Sequence, residues 1–275
     1  MPDNHNQDAV PFTLEPLRPE LSYRKELCKE LLSPLSFTPP TTKAELKKRL
    51  QRLLGRSLGE LAALAQVPVP TGMMGAKGFA GQLIELFLGA NAKNLPVPDF
   101  MELGIELKTV SLSYDLSLKD STFICMADLK AERFIPFQQS PLYHKLSSLL
   151  WVLVLAPSDL PLEQRPILGF CFYEPSPQEL AQIEADYNEF NELICTGRSA
   201  QITGAMGTII QLRPKALNSQ VTTQVRDERG NFVATTPKGY YLRAEVTRKL
   251  IAQFLQEQGL SAAHLAQLSA RFKGA

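Results

Sequence analysis

The sequence offers little of what marks a secreted, membrane-bound or zinc-stapled protein. Cysteine is scarce, with four in 275 residues at Cys28, Cys125, Cys171 and Cys195, and there is no CxxC pair and no histidine beside them at ligand spacing. That excludes a disulfide framework and a structural zinc site, and a reducing cytoplasm is the expected home. The N-terminus MPDNHNQDAV lacks the basic-then-apolar pattern of a signal peptide. Long hydrophobic runs are missing too: LLWVLVLA at 149–156 is far short of the roughly 20 residues a span needs, so no membrane segment is expected. Charge of one sign is also missing. Lys plus Arg number 29 against 28 Asp plus Glu, a net charge of +1, so any surface for a polyanion must be a local patch.

What is present is an ordinary globular composition, 44% hydrophobic and 21% charged, in a chain long enough for a sizeable core. Residues 1 to about 40 are rich in Pro and polar residues, with one short amphipathic stretch around Leu21–Leu32, and read as an N-terminal extension. Organised sequence starts after Pro39-Pro40. Thr42 to Glu45 and Ser57 to Glu60 have the form of capping boxes opening two helices, and GFAGQLIELFLGA at 78–90 reads as a third that Gly89 ends. Strands are expected at 103–110, 121–129, 150–156 and 167–174, the last two apolar on both faces as in a covered sheet. Ser176-Pro177-Gln178-Glu179 opens a long helix toward Cys195. Strand follows at 207–213 and near 239–244, with two closing helices at 245–258 and 261–272. The expected class is α/β, a mixed sheet flanked by helices.

The segment PDFMELGIELKTVS at 98–111 carries charge where a strand should be apolar. Side chains alternate along a strand, so Ile105, Leu107 and Thr109 share one face, and Glu106 and Lys108 share the other about 6.6–6.8 Å apart. Asp99, after two prolines, is near enough in sequence to return beside Glu106. Two converging carboxylates repel unless a cation sits between them, and hard oxygen donors with open positions suit magnesium. The Leu107 carbonyl is a further candidate ligand. A lysine aimed at the same point can orient water or stabilise charge developing on a phosphodiester, so metal-assisted hydrolysis is the reaction class implied. Glu85, on an otherwise apolar helix, is a candidate third carboxylate. The acid-any-Lys pattern also occurs at Glu45-Leu46-Lys47 and Asp128-Leu129-Lys130, and on spacing alone an ion pair on a solvated face explains Glu106 and Lys108 equally well.

The segment resembles the PD-(D/E)xK nucleases, and more closely the MutH family of strand-nicking endonucleases of methyl-directed DNA mismatch repair. The likeness runs through SLGELAALA at 57–65, KGFAGQLIELFLGA at 77–90, PDFMELGIELKTV at 98–110, TFICMADL at 122–129, HKLSSLLWV at 144–152, QLRPKALN at 211–218 and PKGYYLR at 237–243. It implies a restriction-endonuclease-like fold over residues 41–275, two lobes around a DNA-binding cleft, acting on hemimethylated or unmethylated GATC in double-stranded DNA. Magnesium is the implied cofactor, with manganese as a substitute. By the resemblance Asp99 and Glu106 are metal ligands, Lys108 the catalytic lysine, Glu85 an additional active-site acid, and Lys145 a lysine at or near the site. Lys77 matches a lysine in the loop before the Glu85 helix. Lys215 is the choice for reading guanine, with Arg213 on a base or the backbone. Tyr241 matches a tyrosine that senses adenine methylation, and Phe123 an aromatic that approaches the bases. A monomer activated by MutL, and indirectly by MutS, is implied. A stand-alone GATC restriction enzyme and a non-cleaving DNA-binding protein are the alternatives; the intact Asp99, Glu106 and Lys108 set argues against the second.

Overall fold

Seven consecutive apolar residues, Leu149–Leu155, form a strand (β3) in which every side chain is buried. A strand covered on both faces needs a layer on each side, and alternation decides which residue enters which layer. Leu149, Trp151, Leu153 and Leu155 enter one core, while Leu150, Val152 and Val154 enter the other. In the computed structural model residues 38–70, 78–92, 95–118, 121–216 and 220–257 are described. The N-terminal extension up to residue 37, Lys77 and the helix expected at 261–272 lie outside them.

The strand Glu106–Leu112 (β1) runs parallel to β3, and the strand Ile167–Tyr173 (β4) runs antiparallel on its other side, which gives a mixed sheet in the order β1-β3-β4. The 167–174 segment, apolar enough to suit a central strand, is thus an edge strand in this sheet. One face is covered by the helices Lys43–Leu53 (α1), Leu58–Ala65 (α2) and Phe79–Leu88 (α3), through Leu46, Leu50, Leu58, Leu61, Ile84 and Phe87.

Both expected caps open their helices. Ser57 and Glu60 satisfy each other's backbone amides at 3.1 and 3.0 Å. Thr42 accepts from the Glu45 amide at 3.1 Å, but the Glu45 carboxylate turns to the Thr41 amide instead, so this box is only half made.

The second core lies between the other face of that sheet and an antiparallel sheet of the strands Thr122–Met126 (β2), Ile210–Pro214 (β5) and Lys238–Leu242 (β8), in the order β2-β8-β5. The hairpin Thr223–Arg226 (β6) and Phe232–Thr235 (β7) is turned by Asp227, whose carboxylate accepts from the Arg229 and Asn231 amides at 2.9 and 2.8 Å. The helix Pro177–Cys195 (α5) lends Ile183, Tyr187, Phe190 and Ile194 to the second core, and its expected capping box is complete. A short helix, Pro141–Leu146 (α4), precedes β3, and Ala244–Glu257 (α6) closes the described chain. Along β2 the register slips: Phe123 faces Tyr241, but Cys125 faces Tyr240, which leaves Ile124 as a bulge. No helix among the described residues is long and apolar enough to cross a membrane.

Candidate active site

The free edge of β1 is where the charged residues gather. Phe100 and Ile105 bridge through their backbones, Phe100 N–H to Ile105 O at 2.9 Å and Ile105 N–H to Phe100 O at 3.3 Å, with Gly104 turning the chain at φ +64°. This closure returns Asp99 to the strand, where its Oδ2 accepts from the Leu107 amide at 2.8 Å. The N–H and C=O of one strand residue point the same way, so the Leu107 carbonyl lies on that edge as well.

Glu106 is only 2% exposed and is held by two lysines. Lys108 Nζ donates to its Oε1 at 2.6 Å, and Lys145 Nζ, from α4, donates to Oε1 and Oε2 at 3.0 and 2.9 Å. The solvated-face reading of the Glu106 and Lys108 pair therefore fails: both side chains are largely buried, at 2% and 14% exposed. A buried ion pair is costly to make and more costly to break, because removing one partner strands the other charge.

Two more carboxylates crowd this clamp. Glu85, from α3, has its pKa pushed up to about 7, first by burial and then by the negative charge of Asp99, with Lys108 opposing. Asp99 is pushed up to about 6 by burial and by Glu106, against the Leu107 amide and the two lysines. Both carboxyls are thus disfavoured as anions where they stand. Among the described residues no group of three or more His, Cys, Asp or Glu is arranged to hold a metal ion. The oxygen donors on one strand edge and the mutual repulsion of their carboxylates are nonetheless what a hard divalent cation would relieve. The donor set fits such an ion.

A second group forms on the outer face of the β2-β8-β5 sheet. Phe123 and Tyr241 meet edge to face with ring centroids 5.4 Å apart. Lys215 Nζ lies 4.5 Å above the Phe123 ring, and the Arg213 guanidinium lies 5.5 Å from the Tyr241 ring while donating to Ser121 Oγ at 2.6 Å. Gly239 makes room for this packing: a Cβ there would lie 2.6 Å from Phe123 Cε2. The four residues assigned to base reading that the structure describes therefore share one cation-aromatic patch. His144, beside Lys145, is exposed and touches Tyr143 ring to ring.

The family model for the DNA mismatch repair enzyme MutH matches residues 88–186, which span Asp99, Glu106, Lys108, Phe123 and Lys145. The DNA mismatch repair protein MutH of Vibrio cholerae serotype O1 is 40% identical over 215 residues, 78% of this chain and 97% of that protein. The chain belongs to the MutH family. It is a mismatch-repair endonuclease. The MutH proteins of Klebsiella pneumoniae and Serratia proteamaculans are 37% and 38% identical over 222 residues, 81% of this chain in each case and 96% and 97% of those proteins.

Several residues that hold the patch in place went unseen in the sequence. Asp186 of α5, 3% exposed, accepts at Oδ2 from the Thr208, Ile209 and Ile210 amides at 2.9, 2.7 and 3.0 Å and so fixes the start of the strand that ends in Arg213-Pro214. Arg243 gathers the carbonyls of Ala205, Met206 and Gly207 at 2.7–2.8 Å. Lys238, buried on the inner face, donates to Ser199 and Ile202 carbonyls at 2.8 and 3.3 Å, and burial lowers its pKa. The only signal for Asp186 was an acid on the apolar face of an amphipathic helix, at i+3 from Ile183.

Proposed function

We infer that this MutH-family chain is a magnesium-dependent nickase that cuts the unmethylated strand at hemimethylated GATC sites, 5′ of the guanine. One observation carries the reading: four residues, Glu85 from α3, Asp99 from its loop, Lys108 from β1 and Lys145 from α4, gather about the Glu106 carboxylate although 60 places of sequence separate the first from the last. Asp99, Glu106 and the Leu107 carbonyl would hold the divalent ion, with Glu85 as a further donor. When bound, the ion supplies positive charge to the phosphodiester oxygens as the bond breaks. Lys108 and Lys145 bring two more cations to the same point and can orient the attacking water through Nζ. Partial burial of the cluster strengthens each of these interactions.

Recognition is assigned to the cation-aromatic patch. Lys215 donates to the guanine N7 and O6 acceptors in the major groove, and Arg213 contacts a base or the backbone. Tyr241, packed edge to face against Phe123, is assigned to sense adenine methylation, since added bulk at N6 would collide with a ring packed against it. Lys77, by the likeness, is assigned a DNA contact. Residues 41–275 are read as one folding unit whose two lobes lie around a DNA-binding cleft, with residues 1–40 as an N-terminal extension. The active form is a cytoplasmic monomer that MutL stimulates after MutS has recognised a mismatch.

The test is nicking of a plasmid with one GATC site in unmethylated, hemimethylated and fully methylated form, with magnesium and with or without MutL. Nicking confined to the unmethylated strand supports the reading. Cutting of fully methylated DNA at the same rate would overturn it in favour of a restriction-type enzyme.

A further inference from the structure

Thr109 lies on β1 one residue beyond Lys108, on the face turned toward α3. Its hydroxyl is buried and makes no hydrogen bond among the described residues. A buried hydroxyl left unpaired costs stability, and valine has nearly the same shape and favours strands at least as well. Gly81 of α3 lies opposite. Its backbone is ordinary helix, where alanine would be the better residue, and a methyl there would meet nothing closer than ordinary contact distance. A Cβ at Gly81 would touch two described atoms within 4 Å: Thr109 Oγ1 at 3.7 Å and Glu85 Oε1 at 3.9 Å.

Two locally unfavourable choices thus border one gap, and the third wall is an active-site carboxylate. Helical side chains lean toward the preceding turn, so Glu85, four residues after Gly81, is carried back over the glycine toward Thr109. We propose that Thr109 is a positioning residue: its hydroxyl donates to the Glu85 carboxylate across the gap above Gly81 and so fixes which way that carboxylate presents itself to the reacting phosphate. Gly81 keeps the gap open. The proposal rests on the nuclease reading above.

The test uses the full chain, single-site plasmid and magnesium, and follows kcat, KM and the thermal midpoint. Thr109→Val keeps the shape and removes the hydroxyl. Its kcat falls about tenfold, or about 1.4 kcal/mol of barrier, with KM unchanged. Its midpoint stays level or rises, which a merely structural hydroxyl would not allow. Thr109→Ser, which retains the donor, stays within about threefold of wild type, and Gly81→Ala lowers kcat without lowering the midpoint. Wild-type kcat in Thr109→Val, or equal losses in the Ser and Val variants, overturns the proposal alone. Failure of the wild-type chain to nick any GATC plasmid overturns it together with the reading it rests on.

Discussion

The β1 edge and the outer face of the β2-β8-β5 sheet are both built from charge beside apolar residues, yet they solve opposite problems. At the β1 edge Glu106 is 2% exposed with two lysines bonded to it, and Glu85 and Asp99 are driven up in pKa. Every charge there depends on the others, so the cluster is rigid and costly to alter. On the sheet face the exposed Arg213 and the half-buried Lys215 rest on aromatic rings. Such contacts are worth about 0.5–1 kcal/mol each when exposed and can be exchanged for contacts with bases. A cutting site must be set before substrate arrives; a reading site must give way to it.

Removal of a charge from each region sharpens the contrast most. Glu106→Ala should abolish nicking by about 1,000-fold or more while leaving Lys108 and Lys145 as stranded buried cations, at a cost of about 3–5 kcal/mol in unfolding free energy. Denaturant unfolding and single-turnover nicking check the two halves. Lys215→Ala should leave stability within about 0.5 kcal/mol and cost about 1–3 kcal/mol of discrimination at the guanine, measured by competition between GATC and altered sites. An equal loss on every sequence would mark Lys215 as a phosphate contact and blur the comparison.

The pH dependence of stability is a smaller effect and belongs to the edge alone. Glu85 binds its proton more tightly folded, at about 7, than unfolded, at 4.5. The folded state therefore takes up protons between these values, and stability falls as pH rises from about 4.5 through about 7. Without divalent cation, Glu85→Gln should be more stable than wild type at pH 8 by about 1–2 kcal/mol, discounted for partial solvation, and lose that advantage by pH 5. A pH-independent difference would mean that Glu85 is not crowded. The smallest effect is expected of Gly239→Ala, where a methyl displaces the Phe123 ring: a few-fold weaker site discrimination, at about 1 kcal/mol in stability, with the rate of cutting once bound unchanged.

Legibility in the sequence followed distance along the chain. Asp99, Glu106 and Lys108 could be placed from strand alternation and a short return loop, because all three are set by local geometry. Lys145 could not: it reaches Glu106 from a six-residue helix 39 positions away, and only the family likeness pointed to it. The division of strands between two sheets was equally hidden, since β2 and β8 pair across more than a hundred residues. Asp186 and Arg243 were missed because a polar residue serving distant backbone leaves no periodic trace. For the hairpin β6-β7 the sequence carries only a turn signal, DERGN at 227–231.

The bulge at Ile124 sets a rule about chain length. Ile124 and Cys125 both face the core, at 1% and 8% exposed, while Phe123 on one side and Met126 on the other, the latter 48% exposed, face outward. A strand counts in twos, and one supernumerary residue inverts the parity of all that follows. Upstream of it the parity belongs to the ring under Lys215; downstream it belongs to Cys125, whose thiol lies within the field of Lys145 and Lys108. Evolution can therefore rewrite letters in this stretch more freely than it can change their number, since a single deletion would turn either the reading ring or the core inside out.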